Sequence, residues 1–540
     1  MAAAQPETPA MYLPDGWEGG GQLRYRAISF AQLDTDSNEI AAGLQGLGLQ
    51  KGSRVALMVP PGEAFFGVTF ALFKVGLVPI LIDPGIGLKA LKTCLAEAQP
   101  EAFIGIPKAQ IARLLFGWCR GQLKHVVTVG PRLFWGGTTL KAIQQKGAAA
   151  GPYVAPEVGG DDPAAVLFTS GSTGIPKGAL YRHRNFMAQV AMIRDRYQIE
   201  PGEVDLPTFP LFALFDPALG MTAVIPKMDF TRPAKADPVL LAQAIERFQC
   251  TNMFGSPALL NTFSRWGEPA GKKFPSLRRI LSAGAPVPAA VLSRCRAMIP
   301  EDATISTPYG ATESLPVASI ESREVLAETG AKTAQGKGVC VGLPDPKAKV
   351  RIIKISDHAI ESWSDDLLVG EGEIGEIVVN SPAVTTEYFG RPEQTALAKI
   401  RDVDGSVIHR MGDLGALDEA GRLWFCGRKS HRLETAQGPM YTLCCEGVFN
   451  DHPQVFRTAL VGTGERGAQE PVLLVERELE VSGPRLSAAE LTAELLELGS
   501  RWSHTQAIQK VIYHPGFPVD IRHNAKINRE QLSRWAEQRR

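Results

Sequence analysis

The sequence has no excess of charge of either sign, and it lacks the cysteine spacing of metal and redox sites. Over 540 residues, 57 lysine and arginine residues balance 57 aspartate and glutamate residues. We therefore expect no nucleic-acid partner, since such proteins carry a basic surface. None of the eight cysteines forms a CxxC pair, which argues against a zinc or dithiol site. Few cysteines in a long chain favour reduced thiols and a cytoplasmic location.

Long hydrophobic runs are missing as well. The most apolar stretch, GVTFALFKVGLVPILI at 67–82, contains Lys74 and is too short to span a bilayer, so it predicts a buried helix followed by a strand. The N-terminal residues have neither a basic segment nor an apolar core, and we expect no secretory signal or transmembrane segment. The phosphate loop GxxxxGK[ST] is also absent, which excludes a Walker A site.

What the chain does contain is a regular alternation of segments. Helical and strand-like patterns take turns from about 27 to 160 and again from 164 to about 320. This alternation predicts an α/β fold with mainly parallel sheets. From 336 to 425, short strands separated by Gly and Asp turns predict an antiparallel or β-barrel-like subdomain. The tail from about 430 predicts a small α+β domain.

A donor-rich loop follows one apolar strand, in LFTSGSTGIPKGAL at 167–180. Its glycines allow the main chain to approach a ligand, and successive N–H groups then form an anion-binding concavity. The alternative, a flexible surface linker, does not explain the preceding strand or the Pro-Lys-Gly at the end. The candidate phosphate contacts are Thr169, Ser170, Gly171, Ser172, Thr173, Gly174 and Lys177.

This loop resembles the signature loop of the adenylate-forming superfamily, which includes acyl-CoA synthetases, peptide-synthetase adenylation domains and luciferases. Further motifs follow in the family's order from about residue 27 to 532. SAGAP (282–286) resembles the adenine-binding turn, and TPYGATE (307–313) resembles the motif whose aromatic residue stacks on adenine. The resemblance implies ATP contacts from Gly284, Ala285, Pro286, Tyr309, Gly310 and Thr312, with Glu313 holding Mg²⁺.

Two more motifs complete the resemblance. HRMGDLGALDEAGRLWFCGR (409–428) implies that Asp413 accepts from the ribose hydroxyls and that Arg428 meets ribose or phosphate, and HNAKINRE (523–530) implies the catalytic Lys526. With Lys177 and Glu313, Lys526 forms the implied catalytic set, and ATP and Mg²⁺ are the implied cofactors. Carboxylates suit a vicinal diol and a hard cation. Taken alone, Asp413 also fits an ordinary turn residue and Glu313 a helix N-terminal cap.

The family has a large N-terminal domain and a small C-terminal domain that rotates between two half-reactions. The resemblance implies boundaries at 1–427 (αβ subdomains about 1–335, β-rich subdomain about 336–425) and 428–540, with Ser430 as the pivot. Many members carry Asp or Lys at the pivot, and Ala525 replaces the usual Gly before the lysine. These departures lie on the face that CoA-using relatives present for thioester formation. They weaken the expectation of CoA transfer.

The stretch 204–226 is rich in Phe, Leu and Pro and has Ala213 where acyl-CoA ligases typically have His. We expect Phe209, Phe212 and Phe215 to line an apolar acyl pocket, with Gly255 and its neighbours in FGSPALL opposite. Ordinary core packing is the alternative for any one of these phenylalanines.

Strings such as DLPTFPLFALFDPALG and FPVDIRHNAKI resemble one branch of the superfamily, the β-lactone synthetases of bacterial long-chain olefin biosynthesis. This resemblance implies activation of a long-chain 2-alkyl-3-hydroxy fatty acid, closure to a β-lactone, and assembly with other enzymes of that pathway. His183 is the nearest motif histidine for the hydroxyl proton, although a lone histidine is more often structural. The alternatives are a long-chain fatty-acyl-CoA ligase and an inactive acyl- or nucleotide-binding scaffold.

Overall fold

The strands and helices of the protein follow the predicted alternation closely. The structure is a computed structural model that describes residues 1–169, 176–479, 483–519 and 527–539. The strands are β1 (Pro9–Trp17), β2 (Leu23–Ser29), β3 (Arg54–Met58), β4 (Val78–Leu81), β5 (Ala102–Gly105), β6 (His125–Thr128), β7 (Thr138–Thr139), β8 (Pro163–Thr169), β9 (Lys177–Arg182), β10 (Val204–Pro207), β11 (Thr222–Val224), β12 (Asn252–Phe254), β13 (Arg279–Leu281), β14 (Thr304–Ala311), β15 (Ser314–Glu321), β16 (Val339–Pro344), β17 (Lys349–Ile353), β18 (Gly375–Asn380), β19 (Lys399–Arg401), β20 (Val407–Leu417), β21 (Leu423–Arg428), β22 (Leu433–Thr435), β23 (Gly438–Met440), β24 (Val455–Thr463), β25 (Glu470–Arg477) and β26 (Lys510–Tyr513).

The helices are α1 (Phe30–Gln45), α2 (Glu63–Val75), α3 (Leu88–Ala98), α4 (Pro107–Leu115), α5 (Leu140–Ala149), α6 (His183–Tyr197), α7 (Pro210–Ala213), α8 (Phe215–Leu219), α9 (Pro238–Phe248), α10 (Pro257–Gly267), α11 (Ala289–Arg296), α12 (Ser322–Glu324), α13 (Gly330–Ala334), α14 (Pro392–Ala398), α15 (Thr442–Asn450), α16 (Ala488–Ser500) and α17 (Arg529–Glu537).

The apolar stretch at 67–82 forms the predicted buried helix and strand, α2 and β4. Glu63 lies in the first turn of α2 and Lys74 in the last, where each charge complements the helix dipole. Gly76 then ends the helix with a φ of 72°, a conformation that favours glycine. Strand β4 begins two residues later. Among the described residues, no helix is both long and apolar enough to cross a membrane.

The first sheet has seven strands in the order β7-β6-β5-β3-β4-β8-β9. Its neighbours pair in parallel except for β8 and β9, so the mainly parallel prediction is confirmed. Because side chains alternate along a strand, this sheet supports one apolar layer on each face. The apolar layer on one face packs against α2, and the layer on the other face packs against α3 and α4. The carboxyl ends of its strands form one wall of the candidate site.

The large sheet has 14 strands, and the β-rich subdomain is one end of it. The main order is β17-β18-β20-β21-β16-β15-β14-β13-β12-β10-β11-β1-β2, with β19 paired to β20. The antiparallel prediction for 336–425 is confirmed. Closing these strands into a barrel would require β16 to pair with β17. Within the described residues both edges of β16 are already occupied, by β15 and β21, so no barrel forms. The β-rich strands thus extend the large sheet.

The C-terminal segment forms the predicted small α+β unit, with the sheet order β24-β25-β26 and the separate hairpin β22-β23. Alternate residues of β24 and β25 pack on opposite faces: Leu460 lies in a layer with α15 and α16, whereas Ala459 lies in a layer with α17. All eight cysteines of the chain are free thiols and buried. The predicted domain boundaries remain predictions.

Candidate active site

Lys177 lies at the start of β9, and backbone pairing brings Tyr388 beside it. The backbone N–H of Leu180 donates to Glu387 O over 3.1 Å, and that of Phe389 donates to Gly178 O over 2.7 Å. The Tyr388 ring is therefore held next to the strand, with its centroid 5.0 Å from Lys177 Nζ. Burial lowers the pKa of Lys177. A partly desolvated cation at the end of the candidate phosphate loop is suited to binding a phosphate.

Glu313 lies in the turn between β14 and β15, so the helix-cap interpretation is wrong. Its carboxylate is buried, with 8% of the residue exposed. Tyr388 Oη donates to Glu313 Oε1 over 2.7 Å, and the Thr385 N–H donates to the Glu313 carbonyl over 2.9 Å. Burial raises the pKa of Tyr388, and the Glu313 carboxylate raises it further, so the phenol keeps its proton and acts as donor.

Thr312 is fixed from the other side of the same turn. Its carbonyl accepts a hydrogen bond from Tyr181 Oη, on β9. Burial raises the pKa of Tyr181, which also remains a protonated donor. The two tyrosines, Tyr181 and Tyr388, thus attach the Thr312–Glu313 turn to the β9 side of the site.

Asp413 connects β14, β20 and β21. It lies within β20 and is buried, so the turn-residue interpretation is wrong. Tyr309 Oη donates to Asp413 Oδ2 over 2.6 Å, and Arg428 Nη1 lies 2.9 Å from Asp413 Oδ1. Strand register explains the second contact, because Asp413 and Arg428 are directly paired across β20 and β21. The Asp413 carboxylate raises the pKa of Arg428.

The SAGAP turn follows β13 at the carboxyl edge of the large sheet. The Ser282 N–H donates to Ser306 O over 3.0 Å and anchors the turn to the next strand, β14. Gly284 has a φ of 99°, which favours glycine at this position. Ala283 and Gly284 line the cavity that is described below. The other two predicted residues of this turn, Ala285 and Pro286, are not among the described residues of its wall.

Many of these groups line one cavity of about 1300 Å³ between the first sheet and the large sheet, whereas the predicted Tyr309 and Asp413 are not among its described wall residues. Most of the predicted residues that the structure describes meet there. The wall includes Lys177, Phe209, Phe212, Phe215, Gly284, Gly310, Thr312, Glu313 and Arg428. The predicted Gly255 is not among the described wall residues; its neighbours Phe254 and Ser256 are. The aromatic ring of Phe254 stacks on Phe212 with 4.2 Å between centroids.

The predicted phosphate loop and the predicted C-terminal lysine lie largely outside the described residues. Thr169 is the last residue of β8, and Ser170, Gly171, Ser172, Thr173, Gly174 and Lys526 lie outside the described residues. The roles assigned to the individual site residues remain predictions.

Sequence reasoning missed three residues behind Glu313: Tyr388, Lys399 and His409. Lys399 Nζ donates to the Thr385 carbonyl, the residue whose N–H binds Glu313. Burial lowers the pKa of Lys399 to about 7. Lys399 is paired with His409 across β19 and β20, and burial lowers the pKa of that histidine strongly. His409 is the first residue of the motif at 409–428, but no motif marks Tyr388 or Lys399, and strand pairing brings the three residues together.

The predicted pivot Ser430 lies in a short turn beside two ion pairs. Lys429 Nζ is 3.0 Å from Glu376 Oε1, and Arg410 Nη2 is 2.6 Å from Glu376 Oε2. Glu376 and Arg410 are buried, and burial lowers the pKa of Lys429. The residue before the predicted pivot is therefore attached to the β-rich end of the large sheet.

Comparison with known proteins places this geometry in a family. The AMP-binding enzyme family matches residues 1–389. The chain is 52% identical to an olefin β-lactone synthetase of Xanthomonas campestris pv. campestris, covering 100% of this chain and 96% of the relative. It is 51% identical to the enzyme of the same name from Stenotrophomonas maltophilia, covering 99% and 96%.

A solved structure agrees in fold. The amide bond synthetase McbA from Marinactinospora thermotolerans superposes with a TM-score of 0.77 at 22% identity, covering 96% of each chain. The predicted fold class is confirmed. The chain therefore belongs to the AMP-binding, adenylate-forming enzyme family and is an ATP-dependent, AMP-forming ligase.

Proposed function

We propose that the protein activates a long-chain 2-alkyl-3-hydroxy fatty acid with ATP and closes it to a β-lactone, releasing AMP and diphosphate. The observation that carries this proposal is the identity of 52% and 51%, over essentially the whole chain, to two enzymes named olefin β-lactone synthetase. In the first step the carboxylate attacks the α-phosphorus and diphosphate leaves. In the second, the 3-hydroxyl oxygen attacks the acyl carbon, the bond from that carbon to AMP breaks, and the hydroxyl proton is released.

The arrangement of polar groups supports ATP binding in one orientation. The paired Asp413 can accept from both ribose hydroxyls, since a carboxylate offers several acceptor lone pairs. The SAGAP turn at Gly284 would face the adenine. Lys177 and the preceding loop would then contact the β- and γ-phosphates. In this proposal Lys526 stabilises the negative charge that develops on the carboxylate and α-phosphate during attack.

The donor set near Lys177 fits Mg²⁺ bound together with the phosphates of ATP. Mg²⁺ is commonly held by one or two carboxylates plus substrate phosphates, not by a cage of protein ligands. Glu313 is a carboxylate in the cavity wall with its Oε1 already oriented by Tyr388. When bound, Mg²⁺ would neutralise charge on the phosphates.

Lactone closure needs no second substrate. Intramolecular attack has an effective molarity on the order of 10⁵ M or more when the reacting groups are held in the right conformer. The departures from the family pattern at Ser430 and Ala525, on the face used for CoA transfer in relatives, agree with an internal acceptor. The apolar cavity wall, which includes Phe209, Phe212 and Phe215, agrees with an alkyl-chain substrate.

We also propose a cytoplasmic location, supported by eight cysteines that are free thiols. The family resemblance supports two further proposals: a C-terminal domain that begins near Arg428 and rotates between half-reactions, and assembly with the enzymes that supply the hydroxy acid and consume the lactone. Co-purification of the native protein tests the assembly.

Incubation with ATP, Mg²⁺ and a 2-alkyl-3-hydroxy fatty acid, with and without CoA, tests the reaction. We expect AMP and a β-lactone in both samples, identified by mass spectrometry. A thioester formed only with CoA, and no lactone, would mean a fatty-acyl-CoA ligase. Failure to release AMP with any fatty acid would indicate the inactive scaffold. The acid without its 3-hydroxyl is the matched control, and we expect it to give an adenylate but no lactone.

A further inference from the structure

The cavity is larger than ordinary small-molecule sites and reaches both faces of the first sheet. Its volume of about 1300 Å³ exceeds the ~300–1,000 Å³ that is usual for such sites, and in the proposed function it holds ATP as well as the acid. On β3 and the residue after it, Leu57 and Val59 pack against the layer of α2, whereas Met58 between them packs against the layer of α3 and α4. All three line the same cavity. The cavity therefore reaches both apolar layers at the carboxyl ends of the strands.

One branch, here called the phenylalanine arm, is lined by Phe209, Phe212, Phe215 and Phe254. Phe212 lies 5.5 Å from Phe209, 6.3 Å from Phe215 and 4.2 Å from Phe254, measured between ring centroids. Leu214 lies between α7 and α8 and packs against the layer of α2. Phe215 itself packs against a separate apolar cluster that includes Ile193 and Leu219, so this arm adjoins the α2 face of the first sheet through Leu214.

The second branch, here called the helix arm, lies on the opposite face, under α3 and α4. Its wall is formed by Met58, Ile82, Leu91, Ala109, Ala112 and Trp118. All six belong to or pack against the layer of α3 and α4, a different layer from that of the phenylalanine arm. Every one of them is apolar or aromatic, so this part of the wall suits a hydrocarbon chain; the charged residues Asp83 and Lys108, next to Ile82 and Ala109 in sequence, also line the cavity.

The polar groups of the site lie between the two arms. Phe168, near the end of β8, belongs to the layer of the helix arm, and Gly178, next to Lys177, is its strand partner on β9. Thr208 and Phe209 follow β10 on the other side and also line the cavity. An acid whose carboxylate lies near Lys177 can therefore extend one chain into each arm.

We propose that the two arms are separate alkyl subsites, which hold the C2 chain and the C3 chain of the acid. The inference rests on the proposed function, because a straight-chain acid has only one chain and fills one arm. The proposal states that different wall residues limit the length of the C2 chain and the length of the C3 chain. Burying one more methylene improves binding by about fourfold, so each arm gives its own chain-length preference.

Two substitutions separate the arms. Ala112→Phe on α4 fills the helix arm, and Ala218→Phe on α8 fills the phenylalanine side of the cavity, whose wall includes both alanines. Four acids are compared, which combine a long or a short chain at C2 with a long or a short chain at C3. The KM of each acid is measured from the rate of AMP release. We expect each variant to lose about tenfold or more of the preference for a long chain at one carbon only, and the two variants to affect different carbons.

Ile111→Phe is the matched control, because Ile111 is on α4 but exposed and outside the described cavity wall. It should leave all four KM values unchanged. Trp118→Ala, which widens the helix arm, should extend the chain length accepted at the carbon whose preference Ala218→Phe leaves unchanged. This second variant keeps the test decisive if Ala112→Phe does not fold.

If both filled variants restrict the same chain, or restrict both chains equally, the two-subsite proposal is wrong. Lactone analysis of the same reactions separates this result from failure of the proposed function. AMP release without lactone would contradict the proposed function, while the KM pattern would still decide the arms. If no AMP is released, equilibrium binding of the four acids by calorimetry gives the same comparison.

Discussion

Tyr388 Oη donates to Glu313 Oε1 over 2.7 Å, which ties the candidate magnesium ligand to a segment 75 residues away in sequence. The same ring lies 5.0 Å from Lys177 Nζ. One aromatic side chain therefore orients both the carboxylate and the cation that we assign to the phosphates. This relationship depends on pairing of Tyr388 with β9.

The first prediction concerns this hydrogen bond. Tyr388→Phe keeps the ring but removes the donor, and a hydrogen bond to a charged group contributes about 1.5–3 kcal/mol. We expect AMP release to fall by about tenfold or more and the Mg²⁺ concentration for half-maximal rate to rise. The readout is initial rate against Mg²⁺ concentration. An unchanged Mg²⁺ dependence would contradict the positioning role of Tyr388.

The second prediction concerns Asp413. Asp413→Asn weakens the contacts to Arg428 and Tyr309, and we expect the KM for ATP to rise by about tenfold or more. Asp418→Asn is the matched control: Asp418 also pairs with an arginine, Arg422, at 2.9 Å, but Arg422, unlike Arg428, is not among the described residues of the cavity wall. Both variants should lose stability in thermal unfolding, since each weakens an ion pair. Equal effects on the KM for ATP would contradict the ribose assignment.

The third prediction concerns the lysine implied by the C-terminal motif. Lys526→Ala should abolish adenylate formation, measured by ATP–diphosphate exchange, and leave the unfolding temperature unchanged. The loss follows because the substitution removes the positive charge that, in our proposal, stabilises the negative charge developing in the transition state. Lys510→Ala, a substitution on β26, serves as control and should keep full exchange. Normal AMP production by Lys526→Ala would overturn the assignment.

The fourth prediction concerns a buried pair of neighbouring carboxyl groups, Asp205 on β10 and Asp216 on α8. Burial raises the pKa of Asp205 to about 7 and that of Asp216 well above its ordinary value. Because these folded-state values exceed those of the unfolded chain, the folded protein binds more protons above pH about 4, and stability falls as the pH rises toward 7 and beyond.

Asp216→Asn removes one of the two ionisations. We expect its unfolding temperature to exceed that of the parent protein at pH 8, and the difference to shrink as the pH is lowered toward 4. Calorimetric unfolding across this range measures it, with Asp302→Asn, an exposed aspartate, as the control that shows no such pH dependence. A lower unfolding temperature for Asp216→Asn at pH 8 would contradict a shared, protonated pair.

The alternation of helices and strands and the identity of the ATP motifs could be predicted from the sequence, because both are local properties. Apolar periodicity predicts an element such as α2 or β4 without reference to the rest of the chain. Motif residues such as Lys177, Glu313 and Asp413 are likewise marked by their immediate neighbours in sequence.

Contacts between distant segments could not be predicted in this way. The sequence contains Tyr388 and Lys399, but only strand pairing brings them to Glu313 and Thr385. Strand pairing also decides that the β-rich segment extends the large sheet, because β16 finds partners on both sides.

The sequence by itself determined the elements and the adenylate-forming family, since both follow from local patterns and ordered motifs. Only the tertiary structure decided the shape of the cavity. Neighbouring residues such as Leu57 and Met58 face opposite sides of one sheet and yet line the same cavity, because side chains alternate along a strand and distant helices pack against each side.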